Sequence, residues 1–512
     1  MPSAYPMTAP VPKTIGIIGA AIAGPTFALH VLTHPVLRAR YRPVLFDQSP
    51  PPVPIPNTPN TAERAATGPG SPSTALHHQR AGASVGLFAN GLHPLYSLGL
   101  GDVIKQHGYE CDDVALWFSS VSPKDNGKSN ELQHIKTARN AFWSHDFQTG
   151  VMYFERANLQ ALLVNRVREL GGEVRWSKKA VRFDAPSPPG RDQTRVSFAD
   201  GTHTDVDLLV GADGGYSPVR RHILALRNPN TAEERWLPDS MGMTGIYGIS
   251  SADKLPSTHV PERPFNETHC VFLPEGFLST GPCPEGKFRW DLVLPESATP
   301  DTPASGEPNT SVTSAASPSS ESEPWLGAIV PGQYPVSATA HILRSRLRAR
   351  HPFTGDFEMM LNTADRIIHT PLRQRAWKED EIQWAGGGSN IVLIGDAARL
   401  MLPTSGQGTG FAVEDATVLA SMLLKHCSSP TDTDGTSEDG FHAALEEYAR
   451  SRTTRSKKMA AVASWAGSVW MGTTWYHKLL RYGSARLTPS VDLKTKQGKD
   501  AWPMDGRFNV EV

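Results

Sequence analysis

The sequence predicts an α/β fold in which a parallel sheet with flanking helices is interrupted by a second, mixed β-sheet domain and followed by helices. Short apolar runs end in glycine-containing turns at 15–24, 208–214 and 391–408, the pattern of strand–turn–helix units. The stretch between the second and third turns carries further strand patterns, which indicates an inserted domain. The predicted boundaries are 1–235 and 390–440 for the interrupted domain, 236–389 for the inserted domain and 441–512 for the helical tail.

The composition indicates a folded protein with little net charge. Of 512 residues, 39% are hydrophobic and the net charge is −1, which excludes wholesale disorder and argues against a nucleic-acid partner. The four cysteines form no Cys-x-x-Cys pair, so the sequence predicts neither a disulfide framework nor a metal site. We therefore expect a reducing, cytoplasmic setting.

Three segments are rich in proline, serine or acidic residues: 48–79, 295–324 and 428–440. None of them contains enough apolar side chains to offset the entropy of ordering. We expect all three to be flexible surface insertions, so the folded part is closer to two domains and a helical tail than to three domains.

The first glycine-rich turn predicts a dinucleotide site. Gly19 allows a tight turn from strand to helix, Gly24 lets the helix pack closely on the sheet, and Ala21 stands where a glycine usually lets the backbone approach a pyrophosphate. Asp47 ends the second strand, where a carboxylate can accept hydrogen bonds from ribose hydroxyls. The alternatives are a tight turn that binds nothing and, for the apolar stretch 14–32, a signal peptide.

Two more strand-ending motifs combine glycine with an acid. Asp213 lies in Gly-Ala-Asp-Gly after the strand at 208–210, and Asp396 follows Gly395 after the strand at 391–394. A Gly-Gln-Gly loop then opens a helix, whose N–H groups suit a carbonyl or a developing negative charge. The loop and helix start contain Gly406, Gly408, Thr409 and Gly410.

With these motifs the chain resembles the single-component FAD-dependent monooxygenases of the para-hydroxybenzoate hydroxylase and salicylate hydroxylase type, and most of all their fungal secondary-metabolite members. Further matches are the segment at 80–92, the Arg-x-x-Leu-x-x-x-Leu helix that begins at Arg156, and the helix at 445–455 with its arginines. The resemblance implies a Rossmann-like FAD-binding domain and a separate substrate domain. It is specific in the former and weak at 236–389.

The resemblance also implies individual roles. Asp47 would hold the adenosine ribose, Ala83 would contact FAD through its backbone, and Arg156 would contact its pyrophosphate or ribityl side. Asp213 would shape the groove shared by FAD and NAD(P)H. Asp396 would bind the ribityl chain, and the 406–410 loop would face the isoalloxazine. Ala21 departs from the family pattern, as does Arg399, which replaces the usual histidine after Gly-Asp-Ala-Ala.

The implied function is hydroxylation or epoxidation of an aromatic or isoprenoid-type natural product in a fungal biosynthetic pathway. FAD reduced by NADPH or NADH would trap O2 as a 4a-hydroperoxide, whose distal oxygen passes to a small apolar or aromatic substrate. The main alternative is a flavin oxidase or dehydrogenase without oxygen transfer. A halogenase is disfavoured because no Trp-x-Trp-x-Ile segment is present, and a non-catalytic binding protein because the flavin loops persist.

Catalytic candidates come from the region around the inserted domain. Tyr247 resembles a position where relatives place an active-site tyrosine, although a buried tyrosine is more often a core residue. Arg220 and Arg221 could steer a phenolate or a cofactor phosphate, with a helix-surface position as the alternative. Trp290 stands among apolar residues that fit either an aromatic pocket wall or a sheet core.

The uncharged stretch 459–476 contains three tryptophans and has basic flanks. A packed C-terminal helix is the favoured interpretation. A helix on a membrane surface, which would give peripheral membrane association, is the alternative, and a membrane span is the least favoured because the stretch lacks leucine.

Overall fold

The structure is a computed structural model that describes residues 11–52, 82, 84–119, 132–145, 147–184, 193–255, 267–296, 323–352, 354–427, 438–487, 492 and 494. The insertions predicted at 48–79, 295–324 and 428–440 lie mostly outside these ranges, as does Ala83. The described ranges confirm the α/β class, with several sheets and a helical C-terminal region.

The strands, numbered along the chain, are β1 Lys13–Ile18, β2 Tyr41–Phe46, β3 Ser84–Leu87, β4 Tyr109–Glu110, β5 Asp113–Ser119, β6 Leu132–Ala138, β7 Met152–Glu155, β8 Glu173–Arg175, β9 Ala180–Asp184, β10 Thr194–Phe198, β11 His203–Val206, β12 Leu208–Gly211, β13 Asp239–Ser251, β14 Glu267–Phe272, β15 Phe277–Cys283, β16 Lys287–Pro295, β17 Arg350–His351, β18 Gly355–Asp356, β19 Ala364–Ala376, β20 Gln383–Gly386, β21 Ser389–Leu393 and β22 Arg399–Leu400.

The α-helices are α1 Ala23–Thr33, α2 Pro35–Arg40, α3 Ala89–Ser97, α4 Gly101–His107, α5 Arg156–Glu169, α6 Pro218–Arg227, α7 Ala232–Trp236, α8 Val336–Arg344, α9 Phe357–Asn362, α10 Gly408–Cys427, α11 Glu438–Met471 and α12 Trp475–Leu487. Short 3-10 turns cover Ala252–Lys254, Pro324–Ala328, Glu379–Glu381, Gly395–Ala397 and Pro403–Ser405.

The four strands that carry the sequence motifs are neighbours in one sheet. Its order is β20-β21-β12-β1-β2-β8, and all pairs are parallel except β20 with β21. These strands are apolar without alternation because both faces are buried, on one side under α1, which packs against α10 and α5. Since the strands are parallel, the turns after β1, β12 and β21 meet at the same edge of the sheet.

The second large sheet is mixed and has the order β22-β19-β13-β16-β15-β14-β5-β6. In β16 alternate side chains point to opposite faces. Phe288, Trp290 and Leu292 enter a hydrophobic core beneath the sheet, where Trp290 packs edge-to-face on Phe357. Of the two interpretations of Trp290, the sheet core is therefore confirmed and the pocket wall is wrong.

The uncharged stretch 459–476 is the end of one helix and the start of another, because Gly472 adopts a φ of +61° and ends α11. Trp465 and Trp475 are exposed, whereas Trp470 packs edge-to-face on Phe277 at a ring distance of 5.2 Å. Among the helices that the structure describes, none combines the length and the apolar character needed to cross a membrane.

Candidate active site

A cavity of about 610 Å³ lies between the two large sheets. The turns after β1, β12 and β21 contribute Ala21, Ala212 and Asp396 to its wall, and the mixed sheet contributes Tyr247, Phe277 and other side chains. The cavity therefore has one half at the carboxyl edge of the parallel sheet and a second half over the mixed sheet.

The first glycine-rich turn has the geometry that its sequence predicts. Gly19 adopts a φ of +107°, and a Cβ there would overlap the carbonyl oxygen of Ala212 on the neighbouring strand. A Cβ on Gly24 would overlap the carbonyl oxygen of Gly19, so only glycine allows α1 to start this close to the turn. Ala21 faces the cavity between these two glycines.

Asp47 lies beside this turn, at the end of β2. Its two carboxylate oxygens accept hydrogen bonds from the backbone N–H groups of Ala20 and Ser49, at 2.7 and 2.8 Å. Each oxygen keeps a lone pair for a further donor. The contact with an adenosine ribose stays a prediction.

Arg156 and Asp396 face each other across the first half of the cavity. Arg156 is the first residue of α5, and Asp396 sits in the 3-10 turn after β21. Desolvation by the surrounding protein lowers the pKa of Arg156 and raises the pKa of Asp396. The attraction between the two charges opposes both shifts. A cation and an acceptor thus project into the same space.

A buried charge network holds the turn that carries Asp396. The carboxylate of Asp415 on α10 accepts the Gly395 N–H at 2.8 Å and pairs with Arg399. Arg452 on α11 bridges Asp415 and Glu414 at 2.6 and 2.7 Å. The arginine that replaces the usual histidine therefore neutralises a carboxylate behind the turn and does not face the cavity.

The loop before α10 presents glycine to the cavity. Gly406 adopts a φ of +65°, and a Cβ on Gly408 would project into open space. Thr409 also lines the cavity, whereas Gly410 packs against Asn90 behind it. The N-terminal N–H groups of a 20-residue helix are thus directed towards the cavity.

Asp213 lies behind the wall, between the cavity-lining residues Ala212 and Gly214. One carboxylate oxygen accepts the Val219 N–H at 3.1 Å, and the other is buried without a hydrogen-bond partner. Burial raises the pKa of Asp213 to about 6. Asp213 therefore does not line the cavity itself. Its role in shaping the groove shared by FAD and NAD(P)H stays a prediction.

The structure places the three catalytic candidates in three different environments. Tyr247 lines the cavity, and burial together with the charge of Asp291 raises the pKa of its hydroxyl. Arg220 is fully buried outside the lining; it donates to the carbonyl oxygens of Ala397 and Trp236 and stacks on a tryptophan ring. Arg221 faces solvent and pairs with Glu233 at 2.5 Å. Neither arginine lines the cavity, which corrects their proposed steering role.

Sequence reasoning missed several polar and aromatic residues in the second half of the cavity. Lys136, Arg289 and Asp291 lie on the mixed sheet. Tyr153 lies on β7 of a separate three-stranded sheet, and Trp470 lies on α11. Alternation in β16 could have revealed two of them, because the charged residues occupy every second position between large apolar ones. Trp470 carried no such signal, since its direction depends on how α11 packs.

The residues of the first half fit an FAD molecule. Arg156 and the N-terminus of α1 supply positive charge for a pyrophosphate, and Asp47 and Asp396 supply acceptors for hydroxyl groups. Space for a flat ring system exists at Gly408, where a Cβ would meet no atom. Bound there, FAD would supply the redox chemistry and the activation of O2.

Comparisons with known proteins agree with this geometry. A family model described as an FAD binding domain matches residues 374–463. The FAD-dependent monooxygenase ausM of Penicillium brasilianum is 27% identical over 320 residues, which are 61% of this chain and 54% of that protein, so the chain spans about half of this relative's length. The 3-hydroxybenzoate 6-hydroxylase 1 of Aquipseudomonas alcaligenes is 24% identical over 75% of this chain and 79% of its own length.

The fold is shared with solved flavoproteins. The structure of Klebsiella pneumoniae HpxO complexed with FAD and uric acid superposes with a TM-score of 0.58 at 17% identity and covers 93% of both chains. Together with the family match and the relatives, this likeness confirms the resemblance drawn from the motifs: the chain is similar to FAD-dependent monooxygenases and shares their fold.

Proposed function

We propose that the chain is a monooxygenase that uses FAD, NADPH or NADH, and O2 to hydroxylate or epoxidise an aromatic or isoprenoid-type natural product in a biosynthetic pathway. The observation that carries the proposal is that one continuous cavity joins an FAD-compatible half to a largely apolar half without an intervening wall. A substrate there would lie next to the flavin ring, as oxygen transfer requires.

The chain's own residues position the substrate and exclude water. Phe277, Val293 and Trp470 provide apolar surface against which a carbon skeleton can pack. Tyr247 is protonated at neutral pH, since the ordinary pKa of tyrosine is about 10 and burial raises it further. Its hydroxyl can therefore donate a hydrogen bond to a substrate oxygen. A dry pocket favours oxygen transfer over loss of the oxidant to water.

The test is oxidation of NADPH and NADH by the FAD-loaded full chain with a panel of aromatic and isoprenoid compounds under ¹⁸O2. We expect substrate to accelerate cofactor oxidation and one ¹⁸O atom to appear in the product by mass spectrometry. Production of H2O2 and an oxidised product without ¹⁸O would contradict the proposal and favour a flavin oxidase or dehydrogenase. A protein purified without bound flavin, and unable to take it up, would exclude both.

A further inference from the structure

A polar row crosses the cavity face of the mixed sheet. The strand register aligns Tyr247 with Asp291, Asp291 with Ser279, and Ser279 with Cys270 on four successive strands. All four side chains line the cavity. The next residues on one side of this row, Val293 and its partner Phe277, are apolar, so the polar groups form a stripe in a hydrophobic wall.

Asp291 is the acidic side chain of this stripe, and half of its carboxylate is unused. Oδ2 accepts a hydrogen bond from Nη1 of Arg289, two residues earlier on β16. Across the described ranges, no side chain or backbone group donates to Oδ1. The side chain of Asp291 is 22% exposed, and this exposure is to the cavity that it lines.

Arg289 fixes this carboxylate from below. The guanidinium lies over the ring of Tyr153 at 4.8 Å and is 10% exposed. Desolvation raises the pKa of Asp291, and the positive charge of Arg289 opposes that shift. The carboxylate is therefore held in one place by a charge that it already neutralises, and its free oxygen can only accept a hydrogen bond.

We propose that Asp291 selects substrates that carry a hydroxyl or N–H donor on an apolar, preferably aromatic, skeleton. The donor bonds to Oδ1 of Asp291, and the skeleton packs against Phe277, Val293 and Trp470. A substrate carboxylate is disfavoured at this position, because Arg289 is already paired and two carboxylates repel each other. Lys136 is too far away to offset that repulsion: it is four strands from Asp291, roughly 19 Å at about 4.8 Å per strand.

This inference rests on the proposed function only in taking the second half of the cavity as the substrate site, and binding alone tests it. The probes are two matched pairs, 2-naphthol with 2-methoxynaphthalene and indole with 1-methylindole, titrated into the FAD-loaded full chain by flavin absorbance and fluorescence. We expect the donor-bearing member of at least one pair to bind about tenfold more tightly, the size of one charge-assisted hydrogen bond.

The variant Asp291→Asn should abolish that preference. Arg289 would retain the carbonyl oxygen of the new amide, so its NH2 group would face the cavity and could donate but not accept. Asp239→Asn is the matched control, since Asp239 also pairs with an arginine on the same sheet but does not line the cavity. Flavin content and circular dichroism report whether each variant is folded. Asp291→Ser is a second variant, in which a shorter, neutral hydroxyl replaces the charged acceptor.

Equal affinity within both pairs in the unmodified protein would overturn the inference, as would an unchanged preference in folded Asp291→Asn and Asp291→Ser. A donor preference that both variants lose supports it. The same preference in a protein that incorporates no oxygen from O2 would refute the proposed monooxygenase activity and leave this inference intact.

Discussion

A single methyl group distinguishes the first glycine-rich turn from the usual dinucleotide pattern. Ala21 faces the cavity and precedes α1, so its replacement by glycine costs no helix stability. We expect Ala21→Gly to tighten FAD binding by roughly threefold to tenfold, about 1 kcal/mol, because the backbone can approach the pyrophosphate more closely. Fluorescence titration of the apoprotein with FAD measures this change.

Gly24→Ala is the opposing control for that measurement. Its Cβ would overlap the backbone oxygen of Gly19, which cannot move without displacing the turn. This variant should lose FAD binding while Ala21→Gly retains it. Weaker binding in Ala21→Gly would show that the methyl group makes a favourable contact and that the turn does not hold the pyrophosphate.

The pKa of Asp213 predicts a pH-dependent stability. Burial raises it from 3.8 to about 6, so the folded state favours the protonated carboxyl and loses stability as pH rises from about 4 to about 6. Asp213→Asn removes this titration and gives the buried, unpartnered oxygen position a neutral group. In urea unfolding of the apoprotein, we expect the variant to be more stable than the unmodified protein at pH 7 and similar to it at pH 4. A stability difference that is the same at both pH values would contradict this assignment.

The position of a side chain relative to the cavity was the least predictable feature. Gly19, Gly24 and Gly406 could be predicted from sequence because a backbone turn restricts residue type at fixed spacing. Arg220 and Arg221 could not be placed, since adjacent helix positions point in different directions and only packing decides which of them reaches a site. Asp291 was overlooked from sequence because the apolar residues of β16 favour a core strand. Only the alternation of charged and apolar residues along β16 indicates that one face is polar.

At the scale of elements, α11 stabilises the turn at Gly395 through charge. Arg452 is buried and bridges Glu414 and Asp415, whose other cationic partners are Arg455 and Arg399. Arg452→Gln should therefore lower the free energy of unfolding by about 1–3 kcal/mol, the usual cost of losing hydrogen bonds to charged groups, because Arg399 and Arg455 still pair with the two carboxylates. It should also weaken FAD binding, because Asp415 accepts the Gly395 N–H.

Arg450→Gln is the matched control on the same helix. Arg450 is exposed, and its nearest carboxylate, on Glu379, is 3.6 Å away. Its replacement should change stability by less than about 0.5 kcal/mol. Equal effects of the two variants on urea unfolding would mean that the buried network contributes nothing specific.

The helices after residue 440 show what element prediction from sequence can and cannot achieve. The resemblance implied a C-terminal helix at 445–455, and α11 contains these residues and packs on α10. The uncharged stretch 459–476, with its three tryptophans, predicts one helix. The structure instead ends α11 at Gly472 and places Trp475 on a separate helix. The sequence did not reveal this break, because a single glycine inside an apolar stretch is compatible with a continuous helix.

At the scale of the whole molecule, three parts of the fold form the wall of the cavity together: the turns of the parallel sheet, the mixed sheet and the end of α11. Arg481 on α12 strengthens that junction: it donates to the carbonyl oxygens of Trp470 and Leu273, at 2.8 and 3.2 Å. The α11–α12 pair thus holds Trp470 over Phe277, as a part of the wall that neither sheet contributes. We therefore expect that the proposed substrate half can be altered without altering the proposed FAD half.

Trp470→Ala tests that separation. Removing the indole should open the apolar half to water, so we expect FAD content to stay unchanged, substrate affinity to fall about tenfold or more, and NAD(P)H oxidation to yield H2O2 in place of oxygenated product. Trp465→Ala is the control: it removes the same side chain from the same helix at a position that is 61% exposed and outside the cavity. The ratio of product formed to NAD(P)H consumed distinguishes the variants. If Trp470→Ala instead lost FAD while its remaining holoenzyme stayed fully coupled, α11 would belong functionally to the cofactor half, and the substrate would lie entirely on the mixed sheet.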